Sequence, residues 1–296
     1  MPVNIIPRCR QWTIVKERNL ISEKSQCWNN VSDAALEKKL LRASHPDRAA
    51  EIGQHVHEHL ARYKLLFDSV GSADGRISLL DVGGTGNLLP LYIDDLAYPF
   101  VAMANKWRSI SLDPEYLSQF ISPSRFRCDY FDAEADLFPY ADASFDTVVC
   151  SEVIEHLKHD PANMLAEINR VLKREGKLIL TTPNITSSMA LYRILSGMHP
   201  QSWSIYTGKD GDRHNREYTP REIGRLMDAC GFGDIQIDTF SLGPNPFKVK
   251  LTSVWVSLPG LFQGQMKSWR QRGEYILAIG RKTGSVRDRF PGFLYG

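Results

Sequence analysis

The apolar positions of the chain fall into two regimes. Up to about residue 72 they recur at helical spacing, in DAALEKKLLRA and again in AAEIGQHVHEHLARYKLLFDSV. Pro46 is placed to open the second of these helices, with Ser44 as a cap nearby. GSADG at 71–75 breaks the pattern. Beyond it come short, nearly continuous apolar runs: ISLLDVGG (77–84), RSISLD (108–113), RFRCDYFD (125–132), FDTVVCS (145–151) and KLILTTP (177–183). Such runs read as strands buried on both faces. HDPANMLAEINRVLKREG, between the last two, is an amphipathic helix carrying Met164, Leu165, Ile168, Val171 and Leu172 inward and stopped by Gly176. TPREIGRLMDACGF (219–232) is another, capped by Thr219, with Pro220 in its first turn and Gly231 at its end. DIQIDTF (234–240) and EYILAIGRK (274–282) supply two last strands. Strands alternating with helices predict an α/β fold: a mostly parallel sheet with helices on both faces. The expected division is a helical cap over 1–74, a main domain over 75–284 and a loose polar tail over 285–296. Within the main domain, 184–218 forms a lid and 241–273 an insertion.

Composition narrows the class. The chain has 296 residues, 43% of them hydrophobic and 24% charged, which is globular and long enough to bury a core without disulfides or metal staples. A net charge of +2 is too balanced for broad phosphate neutralisation, so nucleic acid is disfavoured as a partner. No apolar run reaches the roughly 18 residues of a membrane span. MPVNIIPRCRQW lacks the apolar core of a signal peptide, so a cytoplasmic location is expected. The five cysteines include no CxxC pair, which fits reduced thiols.

In an open parallel sheet, ligands bind at the carboxyl ends of the strands. Four polar clusters fall there: Asp81-Val82-Gly83-Gly84-Thr85-Gly86-Asn87, then Asp113, then Asp132-Ala133-Glu134, then Ser151-Glu152-Val153-Ile154-Glu155-His156. Glycines after a strand allow a tight turn and close approach to a ligand. A carboxylate at the next strand end can accept hydrogen bonds from a ribose diol, though Asp113 before Pro114 equally suits a helix start. If the last cluster is helical, Glu152, Glu155 and His156 share a face.

These segments, and above all FPYADASFD, EVIEHL and RVLKREGKLILTTPN in that order, resemble the class I S-adenosylmethionine-dependent methyltransferases from about Leu79 to Lys282. The resemblance implies a Rossmann-like seven-stranded sheet whose last strand is antiparallel. It also implies S-adenosylmethionine as cofactor. Asp81, Gly83, Gly84 and Gly86 would line its methionine part, Asp113 its ribose, Asp132 and Ala133 its adenine, and Ser151 and Glu152 its sulfonium. The family's first loop has glycines at the second, fourth and sixth places after the acid, where this chain has Gly83, Thr85 and Asn87. DGDRHNREYTPREIGRLMDACGF is similar to methyltransferases of polysaccharide and glycan assembly, which implies O-methylation of a sugar hydroxyl in a glycan or glycosylated metabolite.

A hydroxyl acceptor wants a base, and histidine suits that task near neutral pH. His214 is the candidate, with His156 second. An alternative use exists for the same residues. Glu152, Glu155, His156 and His214 form an E-x-x-E-H…H set that resembles the divalent-metal site of small-RNA 3′-terminal 2′-O-methyltransferases, which implies Mg²⁺ or Mn²⁺ against a vicinal diol. Both residues also have structural readings, His156 in a common helix start and His214 among Arg213, Arg216 and Glu217. His55, His57 and His59 read as a solvated helix face. Tyr192, Arg193, Trp203, Tyr206, Arg213, Arg216 and Tyr218 form an acceptor-facing surface or ordinary packing. From Lys267 to Arg289 seven basic residues stand against two acidic ones. Beside Val254, Trp255, Leu258, Leu261 and Phe262, they offer either peripheral membrane contact or a solvated face. Small-metabolite tailoring and a cofactor-binding module without turnover complete the alternatives.

Overall fold

The computed structural model describes residues 31–106, 112–201, 213–242 and 271–296. Seven strands form one sheet: β1 (Ser78–Val82), β2 (Phe100–Asn105), β3 (Phe126–Tyr130), β4 (Phe145–Ser151), β5 (Leu172–Pro183), β6 (Phe232–Phe240) and β7 (Tyr275–Lys282). Their order is β3-β2-β1-β4-β5-β7-β6, and β7 runs antiparallel to both neighbours. The other paired strands are parallel. This is the seven-stranded sheet with flanking helices and an antiparallel strand that the resemblance implied. Among the described residues no helix is long and apolar enough to cross a membrane.

Helices α1 (Asp33–Leu41) and α2 (Ala49–Val70) cover one sheet face, where Leu36, Leu40, Leu60 and Phe67 join Leu79, Val101 and Ile179 in one apolar cluster. The described helices of the segment expected as a cap thus share the core of the sheet. The opposite face packs under α4 (Pro161–Val171) and α6 (Pro220–Ala229), with Met164, Ile168, Ile223 and Met227 against Val148, Leu178 and Ala278, while α5 (Ser188–Leu195) follows β5. Thr219 caps the start of α6 as expected, and Glu222 returns the bond to complete a capping box.

Several details differ from the sequence reading. The strand in register with β1 is FVAMAN (100–105), and RSISLD, expected as the second strand, lies mostly outside the described residues. Asp113 caps a short helix α3 (Pro114–Leu117), and 107–111 lie outside the described residues. α4 ends at Val171, because Leu172 already pairs with Phe145 as β5 begins. Gly176 then sits inside the strand, where a Cβ would lie 2.7 Å from the Lys173 carbonyl. Pro46 opens a separate 3₁₀ turn capped by His45 rather than by Ser44, and α2 starts after it. His57 is exposed, but His59 is half-buried against the His55 ring, and burial, with Arg62, pushes it down to about 3.

The tail is docked, not loose. Arg289 grips Asp160 and Asn163 at 2.7–2.8 Å. Tyr295, in α7 (Gly292–Tyr295), donates to Asp160 at 2.5 Å. Polarity in this tail reflects specific partners at the start of α4. Of the expected lid, Trp203 and Tyr206 lie outside the described residues, as do Val254, Trp255, Leu258, Leu261, Phe262 and Lys267.

Candidate active site

The sheet's switch point lies between β1 and β4, so the loops after those strands frame the ligand position of this architecture. They interlock. Gly83 has φ +80, donates its N–H to the Ala104 carbonyl at 2.7 Å, and would place a Cβ 2.3 Å from Val153 Cγ2. Gly84 would place one 2.6 Å from the Asp81 carboxyl. Asp81 is buried beneath this loop, accepts from Tyr92 Oη at 3.0 Å, and is pushed by burial up to about 7. It supports the glycines from inside the fold. Gly86 opens a buried 3₁₀ turn (Gly86–Leu88), so the loop does not run into a long helix.

At the ends of β2 and β3, Lys106 pairs with Asp132 at 2.5 Å. Burial opposes ionisation of Asp132, but Lys106 and backbone N–H groups outweigh it and hold the carboxyl below its ordinary value. Ala133 is half-buried beside it. Asp113 accepts from the Glu115 N–H at 2.9 Å, the helix-start arrangement.

The end of β4 is held by two threonines of β5. Thr181 bridges Ser151 and Glu152 Oε1, both at 2.8 Å, and Thr182 donates to Glu155 Oε2 at 2.9 Å. Glu152 has φ +56, so it stands outside the 3₁₀ turn Ile154–His156 and does not share a face with Glu155. Its Oε2 lies 3.3 Å from Arg62 Nη1, brought in by α2. Burial raises the Glu152 pKa and the Arg62 charge opposes that rise.

Glu155 is fully buried, and its Oε1 has no hydrogen-bond partner among the described residues. Burial, then Glu152, raise its pKa well above the ordinary range. Residues 213–217 are stitched to this turn. The Asn215 and Arg216 N–H groups donate to the Glu155 carbonyl at 2.7 and 3.2 Å, and the Asn215 amide to the His156 carbonyl at 2.6 Å. His156 Nδ1 donates to the Arg213 carbonyl at 2.9 Å, and His214 Nδ1 lies 3.0 Å from Glu217 Oε1. The rings stand edge to face, 5.0 Å apart. Glu155, His156 and His214 offer ligand atoms within 4.8 Å of one another. Glu152 is not in that group, because Thr181 and Arg62 occupy its oxygens.

His214 and Glu217 also line a cavity of about 240 Å³, together with Asn184, Ser187, Glu274 and Tyr275. Arg62, Thr181, Thr182, Glu274 and Tyr275 were not singled out from sequence, whereas Glu217 is one of the neighbours that the structural reading of His214 named. The two threonines had a signal, since a polar pair ends an apolar strand; Arg62 had none, because it lies on the core-facing side of α2.

Residues 80–180 match the methyltransferase-domain family. Over 119 residues, 40% of this chain, the sequence is 31% identical to a ubiquinone biosynthesis O-methyltransferase of Idiomarina loihiensis, covering 46% of that protein. Over 122 residues, also 40% of this chain, it is 33% identical to a protein of Mycobacterium tuberculosis named as a probable S-adenosylmethionine-dependent methyltransferase, covering 38% of it. The match therefore spans less than half the length of these relatives. In fold, 83% of the chain superposes, with a TM-score of 0.51 and 14% identity, on 98% of a chain from the complex between the Haloferax volcanii Trm112 methyltransferase activator and a methyltransferase. Residues 80–180 thus match a methyltransferase domain, set in a seven-stranded Rossmann-like sheet.

Proposed function

We propose that the chain transfers the methyl group of S-adenosylmethionine to a hydroxyl of a sugar, in a glycan or glycosylated metabolite, with His214 as general base. The observation that carries this reading is the His214–Glu217 pair on the cavity wall. A carboxylate that accepts a hydrogen bond from Nδ1–H fixes the tautomer that carries its lone pair on Nε2. It also stabilises the imidazolium formed when the acceptor loses its proton. The cofactor reading keeps Gly83, Gly84, Gly86, Ser151 and Glu152 around the methionine and sulfonium, Asp113 at the ribose, and Asp132 and Ala133 at the adenine, with Asp81 beneath the loop. The name of the Idiomarina relative favours oxygen as the methylated atom and keeps a small tailored metabolite as the alternative acceptor.

A second reading is favoured by the orphaned Glu155 Oε1 and the convergence of its neighbours. Both imidazoles have Nδ1 anchored, by the Arg213 carbonyl and by Glu217, which is how metal-ligating histidines are commonly oriented. The donor set fits a divalent cation, and two imidazoles with one carboxylate suit Mn²⁺ better than Mg²⁺. Glu155, His156 and His214 would hold it, with Glu152 kept aside by Arg62. The cation would lower the acceptor hydroxyl's pKa. This reading extends to an RNA 2′-hydroxyl, against which the near-neutral net charge weighs.

One assay separates the readings: transfer of labelled methyl into fractions of source-cell extract, with and without chelator, for the native chain and for His214→Ala and His214→Gln. General-base catalysis predicts a loss on the order of 100-fold in both variants, with S-adenosylhomocysteine binding retained and chelator without effect. Loss on chelation restored by Mn²⁺ selects the metal reading. Full turnover in both variants overturns both uses of His214. Any measurable transfer disposes of a cofactor-binding module without turnover.

A further inference from the structure

We infer that the cavity between the end of β5 and the start of β7 is the acceptor subsite, and that Glu274 reserves it for uncharged polyhydroxyl groups and turns anionic ones away. The inference deepens the proposed methyl transfer and rests on it. At about 240 Å³ the cavity is smaller than the roughly 300–1,000 Å³ of pockets for drug-sized ligands, so it takes one ring-sized group. Its walls combine Pro183, Met189 and the Tyr275 ring with polar groups, a composition that suits the C–H face and the hydroxyl edge of a single ring.

The charge of the wall sets the chemistry. Among the described residues, the titratable side chains lining the cavity are His214, Glu217, Glu274 and Tyr275. Glu217 is engaged by His214 at 3.0 Å. The Glu274 carboxylate accepts no hydrogen bond from the described residues, although its backbone N–H is held by Ser241 Oγ. An ionised carboxyl is acceptor-only, so an occupant must supply donors to it. Neither nearby arginine forms an ion pair with it among the described residues. Arg272 donates to the Thr186 carbonyl, and Arg62 pairs with Glu152.

Asn184 fixes the geometry. It is buried, donates to the Gly273 carbonyl at 2.8 Å and to the Gln271 carbonyl at 3.2 Å, and accepts from Thr186, so it ties the 271–273 approach to the end of β5 and sets where Glu274 and Tyr275 begin β7. On the other side, the Tyr275 ring lies 6.0 Å from the Arg62 guanidinium, which meets Glu152. The cavity therefore abuts the proposed sulfonium end of the cofactor site, with His214 in its wall.

The test uses the full chain saturated with S-adenosylhomocysteine and two probes, methyl β-glucoside and glucose 6-phosphate, followed by saturation-transfer NMR. The native chain is expected to bind the glucoside and reject the phosphate by on the order of 100-fold, the effect of a like charge at close range. Glu274→Gln should weaken the glucoside about tenfold. Glu274→Lys should abolish it and admit the phosphate. Equal binding of both probes, binding of neither, or glucoside binding indifferent to both substitutions would overturn the inference. Titration of each variant with S-adenosylhomocysteine, run first, reports folding and the methyltransferase reading separately.

Discussion

Asp81 shows how a single buried carboxyl can make stability depend on pH. Its native pKa of about 7 lies above the 3.8 of the free group, and burial is the larger cause, with the Tyr92 hydrogen bond opposing it. The folded state therefore binds more protons than the unfolded state between those values, and this group's contribution to stability falls as pH rises through that window. Asp81→Asn keeps an acceptor for Tyr92 but removes the charge. Urea unfolding across pH 4–8 should show the native chain losing up to ~4 kcal/mol relative to the variant, the shift converted at about 1.4 kcal/mol per unit. A constant gap would mean that Asp81 does not titrate in this range. Side chains at this scale were only partly legible beforehand. His214 and His156 stand out as residues, and the structure brings them together with Glu155. Glu152 was grouped with them on helical spacing, and its positive φ, which sequence does not encode for a glutamate, turns it toward Arg62 instead.

At the scale of elements, the contact of Gly83 with Val153 ties the loop after β1 to the loop after β4. Gly83→Ala faces two costs, a Cβ 2.3 Å from Val153 Cγ2 and a left-handed backbone angle. Together they should destabilise by about 2–4 kcal/mol. Adding Val153→Ala relieves the clash and not the backbone, so a residue of ~1 kcal/mol should remain in chemical denaturation of the double variant. Full recovery would show that the backbone at Gly83 relaxes. The strands themselves were legible where burial on both faces makes the apolar run continuous, as in β1, β4 and β5. The second strand was not, because FVAMAN carries two alanines and a methionine, weak strand formers, and its place is set by parallel pairing with β1, a property of the sheet rather than of the segment.

Across the whole molecule, Arg62 joins the N-terminal helices to the centre of the site. Both members of its pair with Glu152 are largely buried, with side-chain exposures of 10% and 16%. Arg62→Met leaves Glu152 without its counter-charge and should cost about 3 kcal/mol at pH 8. The deficit should shrink as pH is lowered to 5, because burial raises the carboxyl's pKa and without Arg62 nothing of comparable charge opposes that rise. Arg62→Met combined with Glu152→Gln should recover most of the loss. Denaturation midpoints at the two pH values measure this, and a deficit independent of pH would place the effect in packing alone.

The position of β7 between β5 and β6 has a consequence for synthesis. Pro183 pairs with Tyr275, about 90 residues further along, so β5 is an open sheet edge while all of that chain emerges from the ribosome. Pairing across so wide a separation is slow, and an unpaired apolar strand invites association with other chains. Thr181 and Thr182, which hold the two glutamates of the site, sit on that strand. The nascent molecule thus completes its sheet and its chemistry in the same late step, and a chain interrupted before β7 would be both inactive and prone to aggregate.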